Sequence, residues 1–287
     1  MNGVLIIDKE KNYTSRDVVN EIGKKFNIKK VGHTGTLDPM ATGVLVVCIG
    51  SATKLVDLLT CHDKEYIAEC TLGIETDTLD ITGNILKEEN CYKSKEEIIK
   101  ALNSFIGEYN QEVPKYSSVK IKGKKLYEYA RNHEDVILPK RLVKISSIEL
   151  IDLKYENNKT IFKFKCEVSK GTYIRSLIRD IALKLNTIGT MSDLRRTRVG
   201  NFKISEAKLI KDVSRDDLIE IIDVLDVPKI EVNKEIEKKV LNGTIIENKN
   251  NLEEILYLKN GKPVALYKKY EKDSSKLKPY KMFEGGM

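Results

Sequence analysis

The chain has 287 residues, of which 41% are hydrophobic and 32% charged, with 17 Gly and 6 Pro; this excludes collagen-like, low-complexity and mostly disordered chains and leaves room for one large domain and one small. Its longest apolar runs, 3–7 and 43–49, fall far short of the roughly 20 residues of a membrane span, and the start at Met1-Asn2-Gly3 has no signal-peptide pattern, so a cytoplasmic protein without membrane association is expected. The net charge of +7 is segregated: residues 115–144 and 163–198 each hold nine Lys/Arg against three Asp/Glu, and the remainder is acidic.

In chain order, 3–7 reads as a buried strand, and Thr14-Ser15-Arg16-Asp17 is a capping-box pattern opening a helix that buries Val18, Val19, Ile22 and Phe26. A loop rich in Gly, Thr, Asp and Pro covers 32–43, followed by an apolar strand to Ile49 and a short helix near 51–59. Tyr66, Ala68, Cys70 and Leu72 alternate as one face of a strand, and Ser94 caps a helix carrying Ile98, Ile99, Leu102 and Phe105. After Gly107 the chain turns at Pro114 into the basic stretch 115–144, which reads as an insertion with a short helix at 125–131. Strands are expected at 142–153 and 159–168, a helix at 172–185, a strand at 194–202 and a Ser214-capped helix to Leu225. Pro228 marks an expected boundary between a domain over 1–228 and a small β domain over 229–287, whose Asn242-Gly243 and Asn260-Gly261 pairs read as turns.

Five cysteines without a Cys-x-x-Cys spacing point to reduced thiols, and the histidines, His33, His62 and His133, offer no zinc-ligand spacing, so no metal site is expected. Tyr116, Tyr127, Tyr129 and Tyr173 lie within the basic segments, where flat rings among cations suit unstacked bases and phosphates together. Composition alone leaves this open against a plain lysine-rich surface over core tyrosines.

The densest cluster of special residues is His33-x-Gly35-Thr36-Leu37-Asp38-Pro39-x-Ala41-x-Gly43: an acid whose backbone is biased by the following proline, flanked by glycines that permit close approach of a ligand. This pattern resembles the signature of the TruB-type tRNA pseudouridine synthases. Four further blocks follow in the same order: Lys64-x-Tyr66 with Gly73-x-x-Thr76-Asp77-Thr78-x-Asp80-x-x-Gly83; Pro114-x-Tyr116-Ser117-x-x-Lys120 through Ala130-Arg131; Ser169-Lys170-Gly171-Thr172-Tyr173-Ile174-Arg175; and Leu194-Arg195-Arg196-Thr197-Arg198-Val199-Gly200-x-Phe202. Ser118, where the family tends to have alanine, is a modest departure.

The resemblance implies isomerisation of uridine to pseudouridine at position 55 in the T-loop of transfer RNA, with no cofactor. Asp38 matches the family's catalytic aspartate; whether it attacks the sugar, attacks the base or stabilises a detached glycosyl cation stays open. Arg175 matches its guanidinium partner, which would fix the carboxylate's aim. Tyr66 matches the residue that stacks on the target base and can move a proton, Tyr173 and Leu194 match base-pocket residues, and His33 matches the histidine that fills the space left by an extruded base. The basic segment would clamp the RNA backbone through Lys120, Lys122, Lys124, Lys125, Arg131 and Lys170. The expectation is an α+β fold, a mixed sheet flanked by helices with an RNA-clamping insertion and a small PUA-like C-terminal β domain. It would act alone as a monomer, on the T-stem-loop. A tRNA-folding chaperone and a guide-RNA-dependent enzyme are the rival expectations.

Overall fold

A computed structural model describes residues 1–132 and 134–283; His133 and the last four residues lie outside the described residues. The first apolar run forms strand β1 (Gly3–Lys9). Thr14 then caps helix α1 (Ser15–Phe26): its hydroxyl accepts from the Asp17 amide at 3.1 Å, and the Asp17 carboxylate accepts from the Thr14 amide at 2.9 Å. Strand β2 (Val31–His33) leads through the loop 34–41 into β3 (Thr42–Ile49), which is buried along almost its whole length because it sits inside the sheet. A 3₁₀ turn and helix α2 (Val56–Thr60) precede β4 (Lys64–Leu72), and β5 (Ile74–Thr76) pairs with β6 (Ile85–Glu88) in a small hairpin.

Ser94 and Glu97 form the second capping box, at the start of α3 (Lys95–Asn103), and β7 (Gly107–Glu112) follows. Within the basic segment lie the short strands β8 (Lys120–Ile121) and β9 (Lys124–Lys125) and helix α4 (Leu126–Arg131). The chain then makes β10 (Lys140–Glu156) and β11 (Lys159–Val168), helix α5 (Ile174–Lys184), β12 (Gly189–Val199), β13 (Phe202–Lys203), β14 (Ile219–Glu220) and α6 (Ile221–Val224). The sheet runs β14-β1-β3-β12-β4-β11-β10-β7, with β2 beside β3 and β13 beside β12. Every pairing is antiparallel except β3 with β12, where Arg195 lies opposite Thr42 and Arg196 opposite Gly43. The two backbones approach so closely there that a Cβ on Gly43 (φ 103°) would lie 2.1 Å from the Arg196 carbonyl oxygen. Phe162, Phe164 and Cys166 share one face of β11, as their alternation predicts, and pack with α3 and α5 in the largest apolar cluster.

A second sheet begins at β15 (Lys229–Glu231) and includes, beyond helix α7 (Glu237–Leu241), β16 (Ile246–Glu247), β17 (Glu254–Lys259), β18 (Lys262–Tyr270) and β19 (Asp273–Met282), in the order β15-β17-β18-β19-β16. Asn260 and Gly261, at φ 52° and 72°, make the tight β17–β18 turn that their sequence predicts. Leu256, Leu258, Leu266 and Phe283 join Val4, Val44, Leu55 and Leu59 in one apolar cluster, so the second sheet covers a face of the first.

Three expectations need correction. The Ser214-capped helix does not form: Ser214 and Asp217 make the cap contacts, at 2.7 Å from the Ser214 amide to the Asp217 carboxylate, but Ile219 and Glu220 pair with the β1 edge and leave only α6 as helix. A non-local sheet partner outweighs local helix propensity there. Asn242-Gly243 is not a hairpin turn; it ends α7, with Gly243 at φ 63°. The strand placed at 194–202 starts at Gly189 and breaks at Gly200, after which β13 folds back on it.

Candidate active site

Asp38 stands in the loop between β2 and β3, and that loop is pinned from several sides. The Ser15 hydroxyl accepts from the Leu37 amide at 2.8 Å, the Asn12 amide donates to the Pro39 carbonyl at 2.9 Å, and the Ala41 amide donates to the Asp38 carbonyl at 3.0 Å. Below it the ammonium of Lys9, 0% exposed, donates to the carbonyls of Glu10 at 3.0 Å, Tyr13 at 2.7 Å and Pro39 at 3.3 Å. Burial lowers the pKa of Lys9 to about 8, with the charge of Asp38 acting in the opposite direction.

Arg175, at the start of α5, meets Asp38 with two parallel contacts: Nε to Oδ2 at 3.0 Å and Nη2 to Oδ1 at 3.2 Å. The rest of its fork is also occupied, by the carbonyls of Thr78 at 2.9 Å and Tyr116 at 3.0 Å and by the Asp80 carboxylate at 3.6 Å. The Arg175 side chain is 8% exposed and that of Asp38 34%, so the arginine is a buried anchor and the carboxylate faces solvent. Thr78 and Asp80 are presented by a turn in which Leu79 takes φ 64°, an unusual conformation for a branched side chain. Gln111 on β7 brackets the residue before α5, accepting from the Tyr173 amide at 2.7 Å and donating to its carbonyl at 3.1 Å.

Asp38, Tyr66, Tyr173, Arg175 and Leu194 line one open cleft of about 410 Å³, joined there by Lys64, Tyr116, Tyr127 and Arg196. Tyr66 on β4 pairs with Arg196 on β12, and Leu194 with Ala68, so these side chains share a face of the sheet. Burial raises the pKa of the Tyr66 phenol, an effect the Arg196 guanidinium opposes, and burial likewise raises that of Tyr173. The cleft thus offers a fixed carboxylate, aromatic and aliphatic walls, and room for one planar ring.

The other expected site residues lie outside the cleft lining. His33 ends β2, half-buried, where its Nδ1 accepts from the Gly35 amide at 3.3 Å; burial, reinforced by Arg16 and Arg196, lowers its pKa. Lys120, Lys122 and Arg131 are exposed, whereas Lys124 pairs with Glu134 and lies 4.6 Å from the centre of the Tyr129 ring. Lys125 and Arg131 both stand 5.4 Å from the Tyr127 ring, and Lys170 donates to the Cys61 sulfur at 3.4 Å. Sequence reasoning assigned no role to Lys9, Asp80, Gln111 or Arg196. For Arg196 a signal existed: strand alternation puts it on the same face as Leu194. Asp80 and Gln111 act through contacts distant in sequence that no spacing reveals.

Among the described residues no group of three His, Cys, Asp or Glu is placed to hold a metal ion, and no helix is long and apolar enough to cross a membrane.

The sheet order, the Asp38–Arg175 pair and the cleft above it define a pseudouridine-synthase fold. Solved structures agree: this chain superimposes with a TM-score of 0.72 at 26% identity on a chain from a Cbf5-Nop10-Gar1 complex, covering 99% of this chain and 85% of that one. It superimposes with a TM-score of 0.70 at 25% identity on a chain from an H/ACA ribonucleoprotein bound to a substrate RNA, covering 98% of this chain and 85% of that one. Family models match as well: the TruB family pseudouridylate synthase N-terminal domain over residues 23–174 and the tRNA pseudouridylate synthase B C-terminal domain over 175–223. The chain is 46% identical over 273 residues to the tRNA pseudouridine synthase B of Alkaliphilus oremlandii, covering 93% of this chain and 90% of that protein. To its namesake in Thermosipho melanesiensis it is 41% identical over 281 residues, covering 93% and 91%. The chain belongs to the TruB family of pseudouridylate synthases.

Proposed function

We propose that this protein isomerises uridine to pseudouridine in the T-loop of transfer RNA, at position 55, acting alone as a cytoplasmic monomer without a guide RNA. The observation that carries the reading is the doubly contacted Asp38–Arg175 pair at the wall of a cleft lined by Tyr66, Tyr173 and Leu194, in a chain whose relatives of similar length are tRNA pseudouridine synthases B.

The target base leaves its stack and enters the cleft, at a cost of a few kcal/mol that stacking on Tyr66 and occupation of the vacated space by His33 offset. The glycosidic bond opens next to Asp38, the uracil turns, and its carbon 5 rejoins the sugar. Arg175 holds both carboxylate oxygens, so the acid meets the sugar in one orientation. In this reading residues 1–228 form the catalytic domain and 229–287 a small PUA-like domain. Lys120, Lys122, Arg131 and Lys170, with Lys124 and Lys125 beside the tyrosines, grip the RNA backbone.

The test is pseudouridine formation in an unmodified T-stem-loop RNA by the purified protein beside Asp38→Asn. Product from the wild type and none from the variant is expected. Tight binding without product would refute the reading in favour of a folding or guide-dependent role.

A further inference from the structure

Three arginines lie close together on β12, and their surroundings differ. Arg195 pairs with Asp8 at 2.7 Å and Arg198 with Glu167 at 2.7 Å, both part-exposed. Arg196 is only 1% exposed. Its Nε donates to the Val44 carbonyl at 2.7 Å and its Nη2 to the Gly35 carbonyl at 3.1 Å, and the guanidinium also meets the Tyr66 phenol, but among the described residues no carboxylate pairs with it, and Nη1 is left without a hydrogen-bond partner. A buried cation without a counter-charge and with an idle donor is unfavourable unless something else supplies the acceptor.

Its position says what that is. Arg196 lines the cleft, opposite Tyr66 in the β12–β4 ladder and on the same face as Leu194. Nη1 points toward the space beside Gly35 and Lys64, where a Cβ built on Gly35 would stand 3.7 Å from Nη1 and 3.7 Å from the Lys64 Cε. The Lys64 ammonium is already turned to the carbonyls of Thr60 at 3.0 Å and His62 at 2.6 Å. Arg196 is therefore the more deeply buried of the two cations at this wall, and its Nη1 is wholly unpartnered, whereas the Lys64 ammonium already holds two carbonyls.

On the functional reading given above, we propose that Arg196 Nη1 binds a carbonyl oxygen of the extruded uracil and stabilises the negative charge the ring carries while it is detached. When the C1′–N1 bond opens heterolytically, its electron pair stays on N1 and spreads over O2 and O4, leaving C1′ electron-poor beside the Asp38 carboxylate. The ring then supplies the pair that forms C5–C1′, the C5 proton passes to a base, and N1 takes up a proton in its place, so that no atom is gained or lost overall. A charge that exists only during the reaction is where a fixed, water-excluded donor is most effective. A phosphate oxygen would satisfy the same donor, but phosphates stay at the hydrated surface, and a group so fully buried is reached by whatever penetrates deepest, which is the base.

The test is single-turnover kinetics of the wild type, Arg196→Lys and Arg196→Met on stem-loops carrying uridine, 2-thiouridine or 4-thiouridine at the target position. On uridine, Arg196→Met is expected to be slower on the order of a hundredfold at little-changed affinity. Sulfur at the contacted oxygen is expected to slow the wild type at least about tenfold and the Met variant hardly at all, which separates loss of the contact from the bulk of sulfur. The proposal is overturned if the wild type converts both thio RNAs at the uridine rate, or if a folded Arg196→Met keeps its rate. It is also overturned if that variant loses only affinity, with a shallower salt dependence, which would assign Arg196 to a phosphate. Should the variants fold poorly by circular dichroism, the thio RNAs on the wild type decide the matter. Absence of any product from the wild type on uridine would refute the functional reading rather than this residue's part in it.

Discussion

Gln111 holds both backbone polar groups of Tyr173 with a single carboxamide, accepting from the amide and donating to the carbonyl. This ties β7, which leads into the basic segment, to the first turn of α5, where Arg175 reaches Asp38. The aim of the carboxylate therefore depends on a residue that touches neither it nor the cleft.

Replacing Gln111 by Ala leaves the Tyr173 amide without this acceptor in a buried setting and is expected to cost about 1–3 kcal/mol of stability. Because Arg175 shifts with the helix start, the single-turnover rate should fall more than RNA affinity does. Denaturant unfolding alongside rapid-quench kinetics would show this. A stability loss with an unaltered rate would mean that the bracket holds the fold but not the catalytic pair.

Arg175→Lys keeps a positive charge but cannot serve both Asp38 oxygens and the carbonyls of Thr78 and Tyr116 together. The expected result is a rate loss on the order of a hundredfold to a thousandfold, with tRNA binding retained. A variant within about tenfold of wild type would show that charge suffices and geometry does not matter.

Lys9 makes a pH prediction. Its folded pKa, about 8, lies below the ordinary 10.5, so between those values the unfolded chain binds more protons than the folded one. The contribution of Lys9 to stability therefore rises as pH climbs from about 8 toward 10.5, and below about 8 the burial penalty acts in full. The unfolding free energy of the wild type relative to Lys9→Met should therefore rise steadily as pH climbs above about 8. A relative stability of the wild type that stays level or falls with rising pH would contradict the assignment.

The exposed cations of the basic segment should act on binding alone. Lys120→Gln, Lys122→Gln and Arg131→Gln are each expected to weaken tRNA affinity and reduce the salt slope by about 0.7–0.9 per lost phosphate contact, leaving the saturated rate intact. Lys124→Gln also breaks the pair with Glu134, so it should loosen the segment itself. Fluorescence titrations across a salt series would separate the two kinds of residue.

What could be read from the sequence was mostly local. Thr14 with Asp17 and Ser94 with Glu97 both form their boxes, because a cap needs only four neighbouring residues. The Asn260-Gly261 turn likewise carries its own conformation. Ser214 misled because its cap contacts are real while the chain beyond it is taken by the β1 edge, a partner more than 200 residues away. The ordered motifs brought Asp38, Tyr66, Tyr173, Arg175 and Leu194 to one cleft. They did not distinguish Arg196 from its neighbours Arg195 and Arg198, since that difference is whether a carboxylate stands opposite, and Asp8 and Glu167 come from other strands.

The apolar cluster shared by the two sheets sets a timetable for synthesis. Every residue that lines the cleft has been made by Arg196, yet Val4, Val44, Leu55 and Leu59 lack part of their cover until Leu256, Leu258, Leu266 and finally Phe283 have been added. A growing chain thus owns all its chemistry long before its core is sealed, and the interval leaves a greasy face open to the ribosome's surroundings. Premature termination anywhere in the second sheet would release a protein with a complete cleft and an unfinished interior.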